Sequence, residues 1–252
     1  MSRIMTQETV GRLAAQRPET KPVMERFGID YCCGGDRPLE EAIRSSDRSE
    51  EEILSALDDA LAQAERAGRS ERDWSAAPPD ELIRHILDTH HVFMREQLPH
   101  LDALIEKVLG AHGDRHGVML RQLQATFRAV KEEIEMHLMK EEQVLFPYIE
   151  QLTRYLDGRA ERPVIHCITV QNPIKQMEHE HDNAGDALAR MRELTSDHEL
   201  PGDACAAFES LYAGLARLEA DLHEHIHLEN NILFPRAIQL EDQALDGEPR
   251  SS

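Results

Sequence analysis

An all-α protein is predicted by three observations: a composition poor in aromatics and rich in Ala, Leu, Glu and Arg, apolar residues recurring in steps of three and four, and an internal repeat. Residues 137–152, HLMKEEQVLFPYIEQL, return at 225–240 as HIHLENNILFPRAIQL, with seven of sixteen positions identical. Each copy opens on His-x-x-x-Glu. At 3.6 residues per turn this spacing stacks imidazole and carboxylate on one helix face, His137 with Glu141 and His225 with Glu229.

Both pairs interrupt an apolar seam. In the first copy it runs Leu120, Leu123, Phe127, Val130, Ile134, His137, Glu141, Val144; in the second, Leu211, Leu215, Leu218, Leu222, His225, Glu229, Ile232. A carboxylate left without partners in such a seam costs on the order of several kcal/mol. A seam Glu beside a seam His therefore implies a cation held between the helices.

From the N-terminus, residues 1–70 read as a small helical domain. Helical patterns lie near 7–16 and 20–27, the loop GIDYCCGGDRPLEEAI follows, and a further helix spans Ser49 to Ala67. Gly34 and Gly35 permit positive φ, and Asp36 with Pro38 makes a helix start. Cys32 and Cys33 are thereby placed at a helix entrance, where the dipole favours thiolate, which makes them candidate reactive cysteines and a candidate thiol relay. The competing reading is two small packing residues in a glycine turn.

Residues 71–79, in the polar stretch that ends on a Pro pair, read as a linker, 80–242 as the main domain and 243–252 as a flexible tail. From Asp80 a helix carries Ile83, Leu87, His91, Met94, Leu98, Leu101, Ile105 and Val108 on one face; His90 fits the spacing as well, so periodicity leaves the pair open. AHGDRHG is expected to break this helix before the first repeat copy. The connection from Asp157 to Asn172 holds His166 and Cys167 without a motif. A fourth helix presents Ile174, Met177, His181, Ala184, Leu188 and Met191, and Cys205, in the loop before the last helix, reads as structural.

Each half is thus a helical hairpin offering a His, then His-x-x-x-Glu, and two hairpins make a four-helix bundle in which four His and two Glu converge. Six ligands, two of them able to bridge, exceed one tetrahedral zinc and suit two octahedral ions. Iron is favoured by this mixed imidazole and carboxylate set, which manganese and zinc also accept. The string His223-Glu224-His225-Ile226-His227 matches the zinc-peptidase pattern HExxH, but His223 and His227 lie half a turn from the seam and are expected to face solvent.

The formal charge of -20 argues against a nucleic-acid partner. No stretch approaches the ~20 apolar residues that span a bilayer, which predicts no membrane partner. Four Cys, two adjacent, do not make a disulfide framework and suit a reducing compartment, so the cytoplasm is expected.

On these residues the second domain resembles a hemerythrin-like domain, and the whole chain resembles the repair-of-iron-centres family. DYCCGG is similar to that family's small N-terminal domain, while HHVFMREQLP, HLMKEEQVLFP, EHDNAG and HIHLENNILFP match its bundle motifs in order. The resemblance implies a hemerythrin-like four-helix bundle with His91, His137, Glu141, His181, His225 and Glu229 as ligands of two Fe ions per chain, in an oxo- and carboxylate-bridged di-iron centre. It selects His91 over His90. Met94 stands where some relatives have a further His, outside the six. The function implied is repair of iron-sulfur clusters damaged by nitrosative or oxidative stress, by supply of iron to damaged or apo iron-sulfur proteins. The alternatives are a reductase of nitric oxide, nitrite or peroxide, and a carrier or sensor of dioxygen or nitric oxide; a homodimer is an admitted assembly.

Overall fold

The computed structural model describes residues 4–46, 48–67, 72–163 and 169–246. Among them the regular structure is helical: α1 (Val10–Gln16), α2 (Lys21–Arg26), α3 (Leu39–Arg44), α4 (Glu50–Ala67), α5 (Pro79–His85), α6 (Val92–Lys140), α7 (Phe146–Leu156), α8 (Gln171–Leu194), α9 (Ala206–Leu228) and α10 (Phe234–Asp246). Three π turns join consecutive helices without a break: Ile86–His91 between α5 and α6, Glu141–Leu145 between α6 and α7, and Glu229–Leu233 between α9 and α10. His166 and Cys167 lie outside the described residues, as do 68–70, residue 71 of the expected linker and 247–252 of the expected tail.

The chain forms two compact units, Met1–Leu82 with Ile226–Gln239, and Ile83–His225 with Leu240–Ser252. In the first, Thr9 caps α1, its Oγ1 accepting from the Arg12 amide at 3.4 Å. A short backbone ladder ties the start of α1 to the approach of α3: Val10 N–H donates to the Arg37 carbonyl and Leu39 N–H to the Glu8 carbonyl. The helix α4 buries Ile53, Leu57 and Leu61, one residue per turn, beside Val10, Leu13, Met24 and Leu39. Gly11 and Gly35 are required by close approach, because a Cβ on either would stand 2.0 Å from Asn231 Oδ1.

The second unit is the helical bundle. Its core is the seam read from the sequence: Leu98, Leu101, Ile105, Leu120, Leu123, Phe127, Leu188, Leu211 and Leu215 are all buried. The helix α6 is hydrogen-bonded across AHGDRHG, where a break was expected. It is nonetheless no straight rod. At 1.5 Å per residue Asp102 and Arg128 would stand roughly 39 Å apart, yet Arg128 Nε lies 2.7 Å from Asp102 Oδ1. Lys131 also reaches Asp102, and the midpoints of these pairs fall near residues 115–117. The chain therefore reverses within that glycine-containing segment while its backbone stays paired.

Candidate metal centre

Three π turns decide which side chains face the bundle interior. A π turn adds one residue to a helical turn, so the buried stripe steps sideways. After Glu141 the interior position passes to Leu145 and Phe146, both 2% exposed, and the expected seam residue Val144 is 51% exposed. The same device before α6 leaves Leu87 half-buried and buries both His90 and His91.

Glu141, with no solvent exposure, is the hub. His137 Nε2 lies 3.1 Å from its Oε1, His91 Nε2 3.4 Å from its Oε2 and His225 Nε2 3.8 Å from its Oε2. His181 Nε2 is 3.1 Å from His137 Nε2. The outer nitrogens explain why the inner ones point this way. His91 Nδ1 is 2.7 Å from Glu142 Oε1, and His137 Nδ1 is 3.0 Å from Glu180 Oε2. An ionised carboxylate can only accept, so each Nδ1 donates and each Nε2 is left as an inward lone pair. Lone-pair nitrogens gathered round a buried carboxylate repel one another unless a cation lies among them.

The outer carboxylates stay ionised for an identifiable reason. Burial raises the Glu180 carboxyl, but the hydrogen bonds it accepts from Lys140, Gln176 and His137 outweigh that and hold it below the usual carboxylate range. For Glu142, burial is likewise outweighed by hydrogen bonds from Arg95 and His91.

The helix that carries His225 continues unbroken into the π turn that opens on Glu229, one turn further on and fully buried. His91, Glu141, His225 and Glu229 each offer a ligand atom within 4.8 Å of the others, and so do His137, Glu141, His181 and Glu229. All six residues singled out in the sequence are thus brought together, in two sets that share both carboxylates. His90, the competitor of His91, is buried with Nδ1 3.0 Å from Asp221 Oδ1 and belongs to neither set. Sequence reasoning missed Glu142, Glu180 and Asp221; adjacency to a seam residue was their only signal.

Two expectations need correction. His227 is buried, 1% exposed, its ring edge-on to Tyr31 at 5.4 Å and its Nδ1 3.1 Å from Asn231 Nδ2. It does not face solvent, because Tyr31 and Asn231 of the same unit pack against it. The peptidase reading fails on that engagement. The second correction concerns the thiolate at Cys32. The helix α3 starts only at Leu39, and it is the Asp30 carboxylate that accepts from the amides of Cys32, Cys33 and Gly34 at 3.0, 3.0 and 2.9 Å. The Cys33 side chain, burial and the Asp30 charge together push the Cys32 thiol far up, so it is held protonated. Cys205, read as structural, is exposed, with Sγ 3.2 Å from His112 Nε2.

Among the described residues no helix is long and apolar enough to cross a membrane. The hemerythrin HHE cation binding domain family matches residues 82–237, and a domain of unknown function, DUF542, matches residues 6–61. The chain is 36% identical to the iron-sulfur cluster repair protein YtfE of Musicola paradisiaca, over 92% of this chain and 97% of that one. It is 37% identical to a probable iron-sulfur cluster repair protein of Haemophilus influenzae, with coverage of 92% and 97%. It is also 37% identical to YtfE of Escherichia coli O81, with 92% and 96% covered. A chain whose bundle presents buried, paired His and Glu sets suited to metal cations, and which matches these proteins nearly end to end, belongs to the hemerythrin HHE cation binding domain family and to the family of the iron-sulfur cluster repair proteins.

Proposed function

We propose that this chain binds two iron ions and repairs damaged iron-sulfur clusters by supplying iron. One observation supports the reading: Glu141 and Glu229 belong to both four-residue sets, so His91 and His225 would hold one ion and His137 and His181 another, with both carboxylates available to each. Iron held by these residues would supply redox chemistry and exchangeable coordination positions. The chain's own part is to aim the Nε2 lone pairs of His91 and His137 inward, through Glu142 at His91 and Glu180 at His137, among residues that are buried. Carboxylate and imidazole are harder, more exchangeable donors than the thiolates of an apo-cluster site, which favours release of ferrous iron to such an acceptor.

Cys32 and Cys33 belong to this proposal as a thiol relay. Asn231 Nδ2 donates to the Tyr31 and Cys32 carbonyls at 3.1 and 3.3 Å, and Asn230 and Asn231 directly follow Glu229 in the chain. The thiols are thereby tied to the ligand-bearing helix itself. The partners proposed are damaged or apo iron-sulfur proteins, in the cytoplasm.

A second reading is supported by an apolar cavity of about 20 Å³ lined by Met94, Ile134, Leu138 and Leu222 beside His137 and His181. It has room for one small uncharged molecule, which suits nitric oxide or dioxygen. The deciding experiment is iron stoichiometry and Mössbauer spectroscopy on the purified chain, followed by incubation with an apo iron-sulfur enzyme. Two coupled irons per chain, lost as the acceptor gains activity, are expected. Retained iron with many equivalents of nitric oxide consumed would replace supply by turnover.

A further inference from the structure

The two imidazole pairs of the centre are tied together by different means. For His137 and His181 the tie is Glu180, which directly precedes His181 on α8 and accepts from His137 Nδ1 at 3.0 Å. One hydrogen bond thus joins two helices at the ligands they carry. For His91 and His225 the corresponding link is made by two residues outside both ligand sets. His90 directly precedes His91 in the π turn, and its Nδ1 lies 3.0 Å from Asp221 Oδ1. Asp221 stands one turn before His225 on α9.

The backbone brings His90 inward for a definite reason. Adjacent residues of an α-helix point about 100° apart, so an unbroken helix would turn His90 away from the face that holds His91. The wider turn Ile86–His91 buries both, His90 at 4% exposure and His91 at none. Inside, the ring stands edge-on to His85 at 5.6 Å and tilted against His225 at 5.9 Å between centres. Its Nε2 and the second carboxylate oxygen of Asp221 meet no hydrogen-bond partner among the described residues. A buried polar pair satisfied on one side only adds little to stability compared with two apolar residues in its place. What it does supply is a fixed distance between the π turn and α9.

We infer that His90 and Asp221 are a positioning pair that sets the spacing of His91 and His225 on one metal ion, as Glu180 does for His137 and His181 on the other. The inference rests on the two-ion reading above. His90 positions and does not ligate: it belongs to neither set of ligand atoms gathered within 4.8 Å. Without the bond, the π turn and α9 are free to shift against each other. The ion between His91 and His225 then loses its geometry, while the pair tied by Glu180 keeps its own.

The test compares His90→Leu, which fills the space without a donor, with His90→Asn, whose amide nitrogen stands in for Nδ1. The full chain is stripped of metal, titrated anaerobically with ferrous iron and followed by Mössbauer spectroscopy. In His90→Leu one ion should stay tightly bound and the other weaken about 10- to 100-fold, whereas His90→Asn should bind as the wild type does. Asp221→Leu should match His90→Leu, and the double Leu variant should lose no more than either single one. In NMR spectra of the metal-free chain, His90→Leu should shift the imidazole nitrogens of His91 and His225 and leave those of His137 and His181 in place. A wild-type chain that binds a single iron would refute the two-ion reading, and the positioning role would then stand or fall on these spectra. Equal weakening of both ions, or equal shifts in all four rings, would make the pair a general packing element and overturn the proposal. Unchanged binding in His90→Leu also overturns it, and so does failure of His90→Asn to restore the second ion, which would make Nε2 a ligand.

Discussion

The two copies of the repeat share an inner face and differ in what their outer face does. In the first copy Met139 and Gln143 are exposed, while Lys140 and Glu142 reach sideways to Glu180 and His91. The equivalent positions of the second copy are His227 and Asn231, which lie inside the first unit: Tyr31 packs against His227, the Tyr31 and Cys32 carbonyls accept from Asn231, and Gly11 and Gly35 close over its amide. Inner residues are constrained by the ligand set, which both copies must complete. The outer residues carry no such constraint and are free to diverge into different contacts.

The sharpest way to break this comparison is at the inner face, where the copies should behave alike. Glu141→Ala and Glu229→Ala are each expected to lose at least half of the bound iron, measured by metal analysis, because each removes a carboxylate common to both sets. Full occupancy in either variant would remove the bridging assignment.

At the outer face the copies should part. Asn231→Ala removes the hydrogen bonds it donates to the Tyr31 and Cys32 carbonyls, the second of which Asn230 Nδ2 also reaches at 3.4 Å, at a cost of about 1–3 kcal/mol, read as a lower melting temperature with iron retained. Gly35→Ala should destabilise by a similar route, since its Cβ cannot coexist with the Asn231 side chain. Gln143→Ala, the counterpart of Asn231 in the first copy, is expected to change stability by under about 0.5 kcal/mol. Equal effects of Gln143→Ala and Asn231→Ala would show that the asymmetry is not energetic.

The double variant His223→Ala, His227→Ala tests the same face against the peptidase pattern. It should melt earlier, through loss of the His227 contacts, while keeping its iron and showing no peptidase activity. The smallest structural effect is expected from Cys32→Ser with Cys33→Ser: iron content and melting temperature close to wild type, and reactivation of a nitric-oxide-damaged iron-sulfur enzyme impaired. Repair at the wild-type level would reduce these cysteines to packing residues.

Much of this molecule was legible because the repeat and the seam are one-dimensional signals. The step of three and four, with His and Glu interrupting it at matched points, specifies which faces are buried and that those faces hold charge. From that alone came the all-helical class, the bundle and the convergence of His137, Glu141, His181, His225 and Glu229, while the choice of His91 over His90 rested on family resemblance. Tertiary structure decided what periodicity cannot encode. A π turn changes the helical phase by one residue and leaves no mark in composition, so Val144 was placed inside and Leu145 was not. The reversal of α6 near residue 115 is visible only in the Asp102–Arg128 pair, because the backbone stays helical through it. The partners of the outer face, Asn231 with Tyr31 and Cys32, lie about 200 positions apart in the chain, and His112 lies 93 positions from the Cys205 thiol it meets. Local sequence sets what a helix can bury; the opposing surface, known only once the chain has folded, sets what each buried group then becomes.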